Sequence, residues 1–181
     1  MTAANESELG STLVNPDNSP LATLIRTPQR NYGVEASLDW QVAKKWQVGS
    51  TFTWQEGEDD VDDDGEFEAR SSFEISPIKL TAYLENETLP GWNNRLQVLF
   101  VGDRNRAIED GTEFVTVPIE GYALVDLISS IELGKGTLSI GLENLFNEDY
   151  ATISNQTESY INSFTFSGRG RSIRLGYQFD W

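Results

Sequence analysis

The chain has 181 residues, a net charge of -16, and neither cysteine nor histidine. These absences exclude disulfides, thiolate metal sites and Ser-His or Cys-His catalysis. The negative charge argues against a nucleic-acid partner, because phosphate binding needs clustered Lys and Arg. No long apolar run is present, which excludes a transmembrane helix but not a transmembrane β-barrel, whose strands alternate between apolar and polar residues.

Aromatic and β-branched residues recur at every second position between turn-rich breaks, a pattern typical of β-strands. No segment shows a sustained helical period, so the sequence predicts an all-β chain. In chain order, the predicted strands are 6–14, 30–42, 45–56, 76–88, 94–104, 121–133, 137–146 and 169–181. The first of these alternates least clearly.

The connections between predicted strands alternate in length. Those after residues 42, 88 and 133 are short, whereas those after residues 14, 56, 104 and 146 are long and polar. Outer-membrane barrels have short turns at their periplasmic end and long loops outside. The sequence therefore predicts an antiparallel transmembrane β-barrel segment of about eight strands, with a periplasmic C-terminus.

In such a barrel, one parity of each strand faces lipid and the other faces the lumen. The proposed lipid-facing set contains two serines and no charge, taking every second residue of 32–40, 46–54, 78–84, 96–100, 123–131, 138–142 and 173–181. The opposite parity carries Glu35, Asp39, Lys79, Glu85, Arg95, Asp126, Glu132, Glu143, Arg174 and Asp180. Aromatic residues gather near strand ends, as interfacial girdles require, at Trp40, Trp46, Trp54, Tyr122, Phe179 and Trp181.

Several segments resemble the TonB-dependent receptors of bacterial outer membranes, in family order over about residues 30–181. The end of the chain is similar to the terminal strand that the barrel-assembly machinery reads in that family, with alternate residues Ile173, Leu175, Tyr177, Phe179 and Trp181. Residues 141–150 resemble the N-L-F-(N/D)-x-x-Y signature of its penultimate strand. Further similar segments are Asn31–Glu35, Ser76–Pro77, Val101–Arg104 and Tyr122–Asp126, and Gly168–Arg171 is most like the ferric hydroxamate and aerobactin branch.

This resemblance implies that the intact parent imports ferric siderophores, with its own plug domain, TonB, and the lipid and lipopolysaccharide of the outer membrane as partners. The N-terminal residues 1–8 show no export signal, and no plug is recognisable. We therefore expect residues 1–181 to be the C-terminal barrel segment of a longer receptor, unable to transport alone.

An acidic stretch matches the first half of a calcium-binding loop. Asp60, Asp62 and Asp64 precede Gly65 at the alternate spacing that brings oxygen ligands onto one hard cation, Glu66 completes the predicted set, and Glu68 would supply a further ligand. The twelfth position, where a bidentate Glu is expected, is Ser71. The sequence thus predicts a Ca²⁺ site within 58–68, with a solvated acidic loop as the alternative.

Three residues near the predicted long loops are candidates for contact with the siderophore. Arg104 and Arg106 suit an anionic ligand through charge-assisted hydrogen bonds, or instead neutralise Asp103, Glu109 and Asp110 or lipopolysaccharide phosphates. Tyr150, in the loop 147–167, would supply an aromatic contact or simply help that loop to cover the barrel mouth.

Two other functions remain open from the sequence. One is an autonomous eight-stranded outer-membrane barrel with a structural or adhesive role. The other is a soluble β-module that binds or hydrolyses carbohydrate with paired acids such as Glu35 and Asp39. The soluble module would need the apolar parity to form a packed core. No acid-base constellation stands out, so we do not expect an enzyme.

Overall fold

A computed structural model describes residues 12–14, 20–23, 27–60, 64–72, 74–105, 118–162 and 166–179. The strands are β1 (Thr12–Val14), β2 (Pro20–Thr23), β3 (Gln29–Ala43), β4 (Trp46–Asp59), β5 (Glu68–Ala69), β6 (Lys79–Leu89), β7 (Trp92–Val101), β8 (Tyr122–Leu133), β9 (Gly136–Glu143) and β10 (Ser172–Phe179), with one helix, α1 (Ile153–Asn162). Among these residues, no helix is long and apolar enough to cross a membrane.

Strands β3 to β10 form one antiparallel sheet of eight strands, in the order β10-β9-β8-β7-β6-β4-β3, with β5 beside β4. Within the described part of the chain, β3 pairs only with β4, and β10 pairs only with β9. The sheet is therefore an open, up-and-down segment. The predicted fold class, an antiparallel barrel segment of about eight strands, is confirmed.

The structure differs from the sequence prediction at two elements. The strand predicted at 6–14 is not part of the large sheet where it is described, because Thr12–Val14 pairs with Pro20–Thr23 in a separate hairpin. Within the connection predicted as the loop 147–167, ten residues form the helix α1. The eighth strand of the sheet is instead the short β5, which extends the sheet beside the end of β4.

The connections divide the sheet into two different ends. At the short-turn end, two-residue turns occupy 44–45, 90–91 and 134–135. Gly91 and Gly134 have φ values of 77° and 66° there, a conformation that glycine adopts without steric cost. At the long-loop end lie the connections 60–78, 102–121 and 144–171. Between β3 and β10 the predicted alternation of short and long connections is confirmed, whereas the long connection predicted after residue 14 contains β2.

The register of the sheet aligns the apolar parity of all the long strands. One row of directly paired residues crosses seven strands, namely Trp40, Val48, Leu84, Leu96, Leu127, Leu142 and Ile173. Because side chains alternate along a strand, residues in such a row share one face. The opposite face carries the charges, as the row through Asp39, Gly49, Tyr83, Gln97 and Asp126 illustrates.

In the described part of the chain, no hydrophobic core covers this apolar face. Among the described residues, the buried hydrophobic side chains are Ile75, Val101 and Ile119, all near the long-loop end. By contrast, Val34 is 52% and Leu175 is 70% exposed. A soluble module would bury such residues against a second layer. The arrangement suits a sheet whose apolar face contacts hydrocarbon.

We call the lipid-facing set predicted from the sequence the apolar band, and its position across the sheet gives the tilt of the strands. On β3 the first residue of the band is Tyr32, eight positions before Trp40. On β10 the first residue of the band is Ile173, which lies in the same paired row as Trp40. Eight positions correspond to about 27 Å along a strand, and the six steps between β3 and β10 to about 29 Å across the sheet. For the band to lie parallel to a membrane, the strands must tilt by about 40°, the inclination of outer-membrane barrels.

Candidate functional site

The long-loop end is held by a buried ion pair. Arg104 donates two hydrogen bonds to the carboxylate of Glu56, from Nη1 at 3.0 Å and from Nη2 at 2.9 Å. The Arg104 side chain is only 7% exposed. A bidentate pair of this kind fixes both side chains geometrically and is stronger than a neutral hydrogen bond. In this conformation Arg104 is therefore engaged inside the protein and does not face solvent.

Arg70 joins the same cluster from the segment after β5. Its Nη2 donates to Glu74 at 2.8 Å and its Nη1 donates to Asn31 at 3.1 Å. The hydrogen bond to Glu74 raises the pKa of the Arg70 guanidinium. The carbonyl of Arg70 accepts a 3.4 Å hydrogen bond from Arg104 Nη2, which links the two arginines. The cluster thus connects β3, β4 and the β5–β6 segment.

Two further contacts extend the cluster to the other long connections. The backbone of Arg104 pairs with Ile119 through hydrogen bonds of 2.9 and 2.7 Å, which tie the start of the β7–β8 connection to its end. The side-chain amide of Gln156, on α1, accepts from Glu120 N at 2.7 Å and donates to Glu120 O at 2.9 Å. We call this joined set of Glu56, Arg70, Arg104, Glu120 and Gln156 the loop collar. It links all three long connections in one network.

The N-L-F-N segment after β9 forms a turn that asparagine side chains stabilise. Asn144 and Asn147 have φ values of 50° and 57°, a left-handed conformation that Asn adopts more readily than most residues. The buried Asn144 amide donates to the carbonyls of Glu148 and Arg169, at 2.8 and 3.1 Å. Asn147 Oδ1 accepts from the backbone of Arg171 at 3.0 Å. The two asparagines thus fasten both ends of the β9–β10 connection together.

Tyr150 closes the same connection by aromatic packing. Its ring lies 4.7 Å from that of Tyr122, measured between centroids, at the start of β8. Its carbonyl accepts a hydrogen bond from Gly168 N. A Cβ at Gly168 would overlap the Tyr150 ring, so the absence of a side chain there allows the close approach. Tyr150 therefore has a packing role, and the contact with a siderophore that the sequence suggested for it stays a prediction.

The acidic loop after β4 is organised by Asp60, which is buried. Its two carboxylate oxygens accept hydrogen bonds from the backbone of Asp64 and Gly65, each at 3.0 Å. Asp64 in turn accepts from the backbone of Glu66 at 2.7 Å. Asp62 lies outside the described residues. In the part of the chain that is described, no group of three or more acidic, His or Cys side chains is placed to hold a metal. The calcium site stays a prediction.

The polar face of the sheet carries a hydrogen-bonded network between β3 and β7. Tyr83 donates a hydrogen bond to Asp39 and accepts one from Gln47, the latter at 3.0 Å. Arg95 places its guanidinium 3.9 Å from the centre of the Tyr83 ring and donates to Glu85 at 3.2 Å. These contacts cross four strands. They account for several charges that the sequence placed on this face.

The structure places the remaining predicted site residues as follows. Ile173, Leu175, Tyr177 and Phe179 lie exposed along one face of β10, at the alternate positions predicted for the assembly signal. Trp181 and Arg106 lie outside the described residues. Sequence reasoning missed Glu56, Arg70 and Gln156, because nothing local marks a residue whose partner is distant in the chain.

Comparison with known proteins decides the family. The TonB dependent receptor-like, beta-barrel family matches residues 6–145, which is most of the chain. The chain belongs to the TonB-dependent receptor family. Proteins of this family are located in the outer membrane, which accounts for the uncovered apolar face of the sheet. The resemblance seen in the sequence is thereby confirmed.

The curated proteins that this chain resembles are named as receptors. The chain is 30% identical over 164 residues to the Ferric aerobactin receptor of Escherichia coli, which covers 86% of this chain and 21% of the receptor. The Rhizobactin receptor of Rhizobium meliloti is 29% identical over 173 residues, which covers 90% of this chain and 22% of that receptor. This TonB-dependent receptor sequence therefore spans about a fifth of the length of these relatives.

Solved structures share the fold at lower identity. The Copper transporter OprC is 20% identical with a TM-score of 0.66, covering 83% of this chain and 23% of that chain. A chain in the structure of the FpvAI-pyocin S2 complex is 20% identical with a TM-score of 0.64, covering 84% of this chain and 19% of that one. At this identity the likeness shows the fold alone.

Proposed function

We propose that the intact TonB-dependent receptor imports a ferric siderophore across the outer membrane, and that residues 1–181 form the C-terminal part of its barrel wall. The observation that carries this proposal is the 30% identity to a ferric aerobactin receptor over 164 residues. The apolar rows across the sheet support it, because they suit a wall between lipid and a polar lumen.

The proposal gives each end of the sheet a role. The long-loop end, with the loop collar, would face the outside and surround the entrance for the ligand. The short-turn end, and with it the C-terminus, would face the periplasm, where TonB supplies energy through the plug domain of the intact receptor. Contacts of Arg106 and Tyr150 with the siderophore belong to this proposal, whereas a contact of Arg104 would first require its ion pair with Glu56 to open.

An uptake experiment tests the function directly. The intact receptor is expressed in an Escherichia coli strain that lacks siderophore synthesis and its own siderophore receptors, and uptake of ⁵⁵Fe bound to aerobactin, rhizobactin or a catecholate is measured. We expect uptake of at least one of these chelates, and we expect a proton uncoupler to abolish it. Uptake of none of them, by a receptor shown to be folded in the outer membrane, would contradict the proposal.

A further inference from the structure

A row of polar side chains interrupts the lipid-facing side of the sheet near its short-turn end. Asn86 on β6 pairs directly with Asn94 on β7, which pairs with Ser129 on β8. These three residues share the parity of the apolar band, and each is half-buried. We call them the amide row. Its presence needs an explanation, because hydrocarbon offers no hydrogen-bond partner to such groups.

The amide row lies between two tryptophans. Trp46 on β4 is the direct partner of Asn86. Trp92 on β7 lies on the same face as Asn94, and its Nε1 donates a 2.8 Å hydrogen bond to Ser129 Oγ. Tryptophan is enriched where hydrocarbon meets the headgroup layer. The amide row is therefore at the depth of the lipid esters and phosphates, at the short-turn end of the sheet.

The hydrogen bonds within the row leave donors available. Asn94 donates one bond to Thr88, at 2.9 Å, and Thr88 donates to Asn86 Oδ1 at 2.7 Å. Asn86 donates to the carbonyl of Lys45 at 3.2 Å. With partners counted among the described residues, one N–H remains on each amide, and the hydroxyl proton of Ser129 remains as well. These groups suit a ligand rich in acceptor oxygens.

Positive charge lies next to the row. Lys44 and Lys45 form the β3–β4 turn, directly before Trp46, and are exposed. Within the described chain, neither lysine forms an ion pair with a carboxylate. Long lysine side chains near a membrane surface extend their ammonium groups toward the headgroups. A phosphodiester and its neighbouring glycerol esters would match the ammonium groups and the amide donors together.

We propose that the amide row and the turn lysines bind the headgroup of a phospholipid in the leaflet at the short-turn end. The phosphate would pair with Lys44 or Lys45, and the ester oxygens would accept hydrogen bonds from Asn94 and Ser129. This inference is independent of which ligand the receptor transports. It uses only the position of the sheet in the outer membrane.

Native mass spectrometry of the intact receptor tests this inference. The delipidated receptor is titrated with phosphatidylglycerol, and separately with a diacylglycerol of the same chains as the phosphate-free match. We expect phosphatidylglycerol to bind more tightly than the diacylglycerol. Asn94→Leu should weaken phosphatidylglycerol binding by about fivefold, which corresponds to the loss of one net hydrogen bond.

Two other variants complete the design. The double substitution Lys44→Gln/Lys45→Gln should weaken phosphatidylglycerol binding and leave diacylglycerol binding unchanged, and it lies in an exposed turn where folding is not at risk. Ser50→Ala removes a hydroxyl on the lipid-facing side of β4, opposite Ala82 and outside the amide row. It should leave the binding of both lipids unchanged. Equal binding of both lipids by the unsubstituted receptor would overturn the proposal. So would unchanged phosphatidylglycerol binding in the lysine variant, or a second receptor copy held at this surface instead of lipid.

Discussion

Arg104 and Glu56 lie 48 residues apart in the chain, and their side chains form a buried ion pair with two hydrogen bonds at the long-loop end of the sheet. This ion pair fixes the position of the segment that follows β7, because Arg104 also pairs with Ile119 through its backbone. It joins that segment to the end of β4. The loop collar is thus built around one long-range contact.

Breaking this ion pair should strongly destabilise the collar. Glu56→Gln leaves the Arg104 guanidinium buried without its counter-charge, and loss of one partner of a buried pair costs about 3–5 kcal/mol. The free energy of unfolding, measured by urea titration of the intact receptor in lipid, gives the effect. The pair of the exposed Arg174 with the half-buried Glu143 is the control, and Arg174→Gln should cost at most about 1 kcal/mol. Equal effects of the two substitutions would contradict the role given to Arg104.

Gly168 should not tolerate a side chain. Gly168→Ala places a methyl group against the Tyr150 ring and should displace that ring from Tyr122, at a cost of about 1–3 kcal/mol. The free energy of unfolding of the variant measures this cost. Gly176→Ala, on β10, is the control, because nothing lies within 4 Å of the added Cβ. If Tyr150 causes the effect, Gly168→Ala should cost much less in a Tyr150→Ala background.

The side chain of Asn144, and not only its backbone conformation, should contribute to the stability of the protein. Asn144→Gly retains access to the left-handed conformation but removes the buried hydrogen bonds to Glu148 and Arg169. We expect a loss of about 1–3 kcal/mol, since the partner groups become unsatisfied. Hydrogen exchange at the ends of the β9–β10 connection should rise at the same time. A variant as stable as the parent would show that the turn needs only the φ value.

The two faces of β7 should respond differently to charge. Val98→Arg places a cation in the middle of the apolar band, where insertion into a bilayer costs about 2–4 kcal/mol. Gln97→Arg, one residue away, points to the polar face beside Asp126 and should change stability little. Urea unfolding in lipid vesicles compares the two. Similar costs for both substitutions would be inconsistent with a membrane-facing side.

Much of the sheet follows from local pattern. The strands predicted at 30–42 and 45–56 correspond to Gln29–Ala43 and Trp46–Asp59, because alternation over more than ten residues predicts both the strand and its apolar parity. The strand predicted at 137–146 ends earlier, at Glu143, because Asn144 turns the chain with a positive φ. The N-L-F signature marked this place without showing that its asparagine ends the strand.

The site was much less predictable than the sheet. Arg104 was identified as a ligand candidate from its charge, but its partner Glu56 depends on how two connections fold over each other. Gln156 lies in α1, a helix of ten residues without acidic residues in its first turn, so few of the usual signals of a helix start are present. Interactions between distant loops arise from tertiary packing, which the local hydrophobic period of a sequence does not predict.

Contact of alternate strand residues with lipid can be measured directly. Spin labels placed singly at Arg95, Leu96, Gln97 and Val98 of the intact receptor in a bilayer test it, with accessibility to oxygen and to a water-soluble nickel chelate as the readout. We expect oxygen to dominate at Leu96 and Val98, and the oxygen signal to fall at Arg95 and Gln97. A label at Val98 that neither reagent reaches, beside a label at Gln97 in open water, would place the apolar face in a protein core and contradict its contact with lipid.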